Sequence, residues 1–162
     1  MVQSTLPNIG PGGLKSREKA SAGEKSSDSS LLNPSTDFYK KLALDCSGQQ
    51  IAVDLFVLQN QHCDLATISG ISKFSGGQVQ VFPGFHSTHN PSVAERFDRA
   101  LRRYLTRKIG FEAVMRIRCT RGMSLHTFHG HFFVRSTDLL SLPNVNPDSG
   151  FGMQVRKIEK KY

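Results

Sequence analysis

The chain has 162 residues, with 21 Lys and Arg against 13 Asp and Glu, a net charge of +8 and a pI near 9.7. That length holds one ordinary domain, and no run of about 18 apolar residues offers a membrane-spanning helix. Three cysteines (Cys46, Cys63, Cys119) without CxxC spacing build no disulfide framework and fit reduced thiols, while the opening residues lack the apolar block of a secretory leader.

Residues 1–33 carry seven Ser, four Gly and two Pro among scattered Lys and Glu. Such a segment buries too little to offset its ordering entropy, so residues 1–33 are expected to be disordered or a variable loop that adds nothing to a core. Thr36 and Asp37 suit a helix start before Phe38, with Phe38 and Leu42 on one face and Gly48 as the stop. Ile51 to Leu58 is β-rich and apolar at nearly every position, as a strand covered on both faces is. Asp64 can cap a second helix with Leu65, Ile68 and Ile71 on one stripe, ended by Gly76 and Gly77. Gln78 to Phe82 alternates as a strand does, and Pro83-Gly84 breaks it.

Asn90-Pro91 opens the clearest helix, a cap residue followed by proline at the first helical position. Val93, Phe97, Leu101, Tyr104 and Leu105 follow at helical spacing. Arg96, Arg99, Arg102, Arg103 and Arg107 fill the rest of the surface, and Gly110 is the expected stop. Alternating strands and helices predict a parallel sheet with helices on its faces. After Gly110 the pattern changes. Phe111–Cys119 and Met123–Arg135 read as strands joined by a turn at Thr120-Arg121-Gly122, where Gly122 can take positive φ. The tail from Arg156 to Tyr162 is charged and expected to be solvated.

Positive charge gathers around this change of pattern. Between Pro91 and Arg135 there are ten Lys and Arg against three Asp and Glu. A basic surface points to an acidic partner. In the strand after Gly110, Met115, Ile117 and Cys119 share one face and Arg116 and Arg118 the other. The apolar set fixes the register, because a slip of one residue would bury both arginines. The two guanidinium groups then start roughly 7 Å apart, and each can fork a carboxylate. Two carboxylates along an extended peptide would match them. The bland alternative is a wet strand face, as a charged helix face is usually just solvated.

His126, His129 and His131 sit close together in sequence, which raises a zinc reading. A regular strand, however, turns His126 away from the other two, and no acidic or thiolate ligand sits beside them. Half-buried histidines with backbone partners fit better. No GxSxG, GxxxxGK[ST], HExxH or strand-borne GxGxxG appears. Gly10-Pro11-Gly12-Gly13 lies in low-complexity sequence and makes no phosphate loop. Asp45, Asp54 and Asp64 show no catalytic pairing, so an enzyme is not expected. Asp54 inside an apolar strand serves either a cap or a buried polar contact.

Three runs carry a resemblance to a known family. They are Thr36–Gln50 (TDFYKKLALDCSGQQ) with Val53–Phe56 (VDLF), Arg103–Thr120 (RYLTRKIGFEAVMRIRCT) and Phe128–Asn144 (FHGHFFVRSTDLLSLPN). They closely resemble the cargo-adaptor subunit of the COPII vesicle coat, the Sec-twenty-four family, over about Asn33 to Gly152. The resemblance implies a partial von Willebrand A-like α/β trunk over 34–110, the first strands of a β-sandwich over 111–153, and a charged tail at 154–162. It implies a fragment, with the family's zinc-binding module and the first half of its trunk upstream and no cofactor in this chain.

The resemblance further implies a cytoplasmic protein, peripheral on endoplasmic reticulum membrane and COPII vesicles. Its partners would be a sister inner-coat subunit, a Sar-type GTPase, the anionic membrane surface and acidic export signals of cargo. Arg116 and Arg118 fall in the family strand whose arginines bind such signals. The competing reading is a basic nucleic-acid-binding domain, which needs aromatics free to stack on bases. Phe97 and Tyr104 lie instead on the apolar stripe of their helix.

Overall fold

A computed structural model describes residues 1–17 and 31–158. Its first half is built on a parallel sheet of three strands in the order β1-β2-β3: β1 (Val2–Gln3), β2 (Leu55–Gln59) and β3 (Val79–Pro83). Leu55, Phe56 and Val57 are buried, as a central strand covered on both faces requires.

The first strand corrects the expectation that residues 1–33 add nothing to a core. Val2 and Gln3 stand opposite Phe56 and Val57, and the Phe56 N–H donates to the Met1 carbonyl at 2.9 Å. Leu14 is buried in one cluster with Tyr39, Ala43, Leu55, Val57, Cys63, Ile68 and Ile71. Composition averages over the segment, whereas here a few spaced apolar residues close the open edge and one side of β2. Leu14 is held by its N–H to the Pro7 carbonyl at 2.7 Å, and the Tyr39 hydroxyl donates to the Gly12 carbonyl at 2.7 Å. Residues 18–30 and 159–162 lie outside the described residues.

Helix α1 (Phe38–Gly48) begins as expected, with the Phe38 N–H donating to Thr36 Oγ1 at 3.2 Å. Its buried stripe is Tyr39, Ala43 and Ser47; Phe38 packs partly buried against the same cluster, whereas Leu42 is exposed. The helix runs through Gly48, and Gln50 takes the left-handed conformation beyond it (φ 58°). Residues 51–54 precede β2 rather than belonging to it. The Val53 N–H is taken by Ser75 Oγ at 2.9 Å, and a Cβ on Gly77 would lie 2.1 Å from the Val53 carbonyl oxygen, so only glycine fits there.

The single helix expected after Asp64 is two short ones, α2 (Leu65–Ile68) and α3 (Gly70–Ser75). Ile68 and Ile71 are buried while Leu65 is exposed. Asp64 (φ 44°) makes no side-chain cap. Its carboxylate accepts instead from Arg17 at 2.5 Å and from the Thr67 hydroxyl at 2.9 Å. Burial works to raise its pKa, and these partners outweigh it, so the group titrates below the ordinary carboxylate value. Gly76 (φ 79°) ends α3.

Helix α4 (Pro91–Thr106) lays rings onto the sheet. Phe97 meets Phe56, Phe82 and Phe85 edge to face at 6.1, 5.3 and 5.6 Å, and Tyr104 meets Phe56 at 5.2 Å. Leu105 falls off this face and is exposed. The helix ends before Gly110, because Arg107 is already extended (φ −69°, ψ 152°). Asp54 resolves as a polar junction: its Oδ1 accepts from the Gln78 N–H at 2.7 Å and its Oδ2 from the Tyr104 hydroxyl at 2.9 Å. It thereby ties α4 to the N-terminal ends of β2 and β3.

The second half is antiparallel throughout: β4 (Gly110–Arg116), β5 (Met123–His129), β6 (Phe133–Ser136), β7 (Leu139–Val145) and β8 (Gly152–Lys157). The expected hairpin of Phe111–Cys119 on Met123–Arg135 does not form. Gly122 takes positive φ (88°) as expected, but β4 pairs with β7 and β5 with β8, in sheets of order β4-β7-β6 and β5-β8. Residues 117–122 carry the chain from one sheet to the other, the connection a two-sheet sandwich needs. Leu140, Ser141 and Leu142 of the central strand β7 are buried. Gln154–Lys157, placed in the charged tail by the resemblance, are the end of β8, with Lys157 opposite Met123 and Arg156 opposite Ser124; both basic side chains stay exposed there.

Candidate functional site

The site is built where β4 ends. Burial alternates along it: Ala113, Met115 and Ile117 are partly covered, and Val114, Arg116 and Arg118 are exposed. Ladder pairing with β7 stops at Arg116. The Ile117 N–H then donates to the Asp138 carbonyl at 3.2 Å. The strand expected to run to Cys119 therefore ends at Arg116, and Arg118 stands two residues beyond it in the connection to β5; both arginines are exposed.

Their surroundings differ. Arg116 Nε lies 3.3 Å from Asp138 Oδ2, and Asp138 Oδ1 accepts from the Ser136 hydroxyl at 3.0 Å. Among the described residues Arg118 has no ion-pair partner. It opens onto a shallow concavity of about 540 Å³ lined also by Cys119, Met123, Ser124, Leu125, Thr137 and Asp138. A neighbouring concavity of about 480 Å³ shares Met123 and adds Arg121, Arg156 and Lys157, all three exposed. The region can hold anionic groups by forked hydrogen bonds from guanidinium.

Asp138, Arg156 and Lys157 escaped the sequence reading. The signal for Asp138 is the polar Ser136-Thr137-Asp138 turn between apolar runs. For Arg156 and Lys157 it is the alternation of Met153 and Val155 with polar neighbours after Gly150-Phe151-Gly152.

The helix arginines are spent internally. Arg96 lies over the Phe82 ring at 5.3 Å, Arg99 lies 3.9 Å from Glu95, and Arg102 lies 2.7 Å from Asp98. Arg103 and Arg107 both converge on Asp148 of the β7–β8 connection. The Arg107 side chain is only 5% exposed, 3.0 Å from Asp148 and 3.1 Å from Gln78 Oε1. Hydrogen bonds from Arg103 and Arg107 hold the Asp148 carboxyl down from 3.8 to about 2. This cluster fastens the α/β half to the antiparallel half.

The histidines do not converge. His126 Nδ1 lies 2.6 Å from Thr127 Oγ1, and His131 Nδ1 lies 2.6 Å from the Gly77 carbonyl. Among the described residues no group of three His, Cys, Asp or Glu is placed to hold a metal ion. The three cysteines are free thiols, and burial, helped by the Asp64 charge, pushes the Cys63 thiol up. Nor is any described helix long and apolar enough to cross a membrane. Phe97 and Tyr104 are consumed by ring packing, which removes these two rings as a stacking platform for a nucleic acid.

A parallel sheet with helices, leading into two antiparallel sheets, makes the chain an α/β unit joined to a β-sandwich. Residues 1–105 match the Sec23/Sec24 trunk domain and residues 110–161 the Sec23/Sec24 beta-sandwich domain. The chain belongs to this family. It is 61% identical over 155 residues to the human protein transport protein Sec24B, covering 96% of this chain and 12% of that protein. It is 39% identical over 155 residues to the Aspergillus clavatus protein transport protein sec24, covering 96% of this chain and 17% of that protein. The crystal structure of the human COPII-coat protein Sec24c superposes with a TM-score of 0.84 at 30% identity, over 99% of this chain and 22% of that one. The chain therefore spans only a small part of the length of these relatives.

Proposed function

We propose that this chain is a working part of a COPII cargo adaptor, binding acidic export signals through Arg116 and Arg118 during transport from endoplasmic reticulum to Golgi. The observation that carries the reading is Arg118, exposed beside Arg116 at an open concavity and without an ion-pair partner among the described residues. Transport is what the names of the Sec24 relatives describe. The role is binding rather than catalysis, and the chain itself holds no cofactor.

The physical mechanism is charge recognition at an exposed strand. Each guanidinium presents a planar fork that fits a carboxylate. Carboxylates spaced along an extended peptide follow the roughly 7 Å repeat of alternate strand residues. Because both arginines face water, binding is moderate and salt-sensitive: charges separated by more than about 8 Å are screened at physiological ionic strength. Such a site suits signals that must be captured and later released. The sister inner-coat subunit, a Sar-type GTPase and the anionic face of the endoplasmic reticulum membrane complete the proposed setting, with the protein cytoplasmic and peripheral.

The test is a fluorescence anisotropy titration of a labelled acidic peptide into the full chain and its Arg116→Ala/Arg118→Ala variant. The variant is expected to bind about tenfold more weakly, the sum of two exposed charge pairs at up to ~1 kcal/mol each. Equal affinities would remove these arginines from the role.

A further inference from the structure

We propose that Asp138 is an internal competitor for the carboxylates this strand takes, and so sets how many acidic groups the site admits. The inference rests on the acidic-signal reading above and refines it. Asp138 is held in place from two directions. Its Oδ1 accepts from the Ser136 hydroxyl at 3.0 Å, and its backbone carbonyl accepts from the Ile117 N–H at 3.2 Å. In that position its Oδ2 lies 3.3 Å from Arg116 Nε. Asp138 also lines the same concavity as Arg118. The resident carboxylate therefore pairs with Arg116 and also borders the concavity onto which Arg118 opens.

The consequence follows from geometry. A segment with a single carboxylate seats on Arg118 and disturbs nothing. A second carboxylate, one strand repeat away, reaches Arg116, whose Nε edge is already taken. It must either crowd Asp138 at the remaining Nη donors, with like charges in contact, or displace it. Both routes weaken the second contact. The native site thus favours one acidic group over two, and neutralising Asp138 shifts it toward paired acids. Asp138 stays half exposed, which makes the displacement accessible rather than prohibitive.

Two labelled probes separate these cases in anisotropy titrations of the full chain: a peptide carrying Glu-Ala-Glu and its Glu-Ala-Gln counterpart. Asp138→Asn keeps a side-chain carbonyl that can accept from Ser136 while removing the charge. It is expected to bind the di-acidic probe about two- to fivefold tighter, the range of one exposed ion pair, and to change the mono-acidic probe less. Asp138→Glu retains the charge and is expected to stay near the native affinity for both.

Unchanged or weakened di-acid binding in Asp138→Asn overturns the competitor, and so do equal gains in Asp138→Asn and Asp138→Glu. Failure of the underlying reading looks different. If Arg116→Ala/Arg118→Ala loses the probe but Asp138→Asn matches the native chain, only the competitor falls. If the native chain binds neither probe, the acidic-signal reading falls with it.

Discussion

The arginines of α4 and those of β4 carry the same charge and meet opposite fates. Along α4 and at Arg107 just past its end, each of the five contacts a ring (Arg96) or a carboxylate of Glu95, Asp98 or Asp148. On β4 and its extension, Arg116 shares one carboxylate and Arg118 faces an open concavity. Charge density along the sequence peaks across both regions, yet of these arginines it is Arg118 that opens onto a concavity with no ion-pair partner among the described residues. Net charge locates a region of interest; the count of internal partners decides which part of it is available to a ligand.

If that contrast is right, the two regions respond oppositely to truncation. The largest stability effect is expected at Arg107, whose side chain is 5% exposed and bridges Gln78 and Asp148. Arg107→Ala is predicted to lose about 2 kcal/mol, in the range for hydrogen bonds to charged groups, read from urea unfolding. By the same measurement Arg116→Ala/Arg118→Ala stays within about 0.5 kcal/mol of the native chain, as exposed substitutions do. A double arginine variant that unfolds more easily than Arg107→Ala would invert the comparison.

A smaller effect is expected from acid. The Asp148 pKa in the folded chain lies below its ordinary value, about 2 against 3.8. Its contribution is therefore fully present above the ordinary value and is lost as pH falls through the folded one. Stability is expected to decline between about pH 4 and pH 2 by a component that Asp148→Asn lacks. Identical acid unfolding profiles for the two chains would detach Asp148 from the junction.

How much of this was legible in the sequence depends on where each residue finds its partner. Local signals were readable: Asn90-Pro91 at the head of α4, Thr36 at the head of α1, the Gly76 stop, and the alternation that sorted exposed Arg116 and Arg118 from half-buried Met115 and Ile117; Cys119, expected with the covered set, is exposed because the ladder ends at Arg116. Long-range choices were not. Val2 and Gln3 pair with residues more than fifty positions away, and nothing in MVQ distinguishes a strand from a tail. The turn at Gly122 was correct in conformation but not in what it joins, because strand pairing is chosen by burial of β7, which local pattern does not report. Asp54 and Asp148 likewise gain their roles from Tyr104, Gln78, Arg103 and Arg107. Asp138 was missed for the same reason.

The most direct measurement is an amide nitrogen–proton NMR titration of the labelled chain with an acidic peptide. Signals of Ile117, Arg118, Cys119, Ser124, Thr137 and Asp138 are predicted to shift together and saturably, while those of Arg96 to Arg107 stay in place. Shifts centred on α4, or none near Arg118, would contradict the assignment of the open arginines as the binding surface.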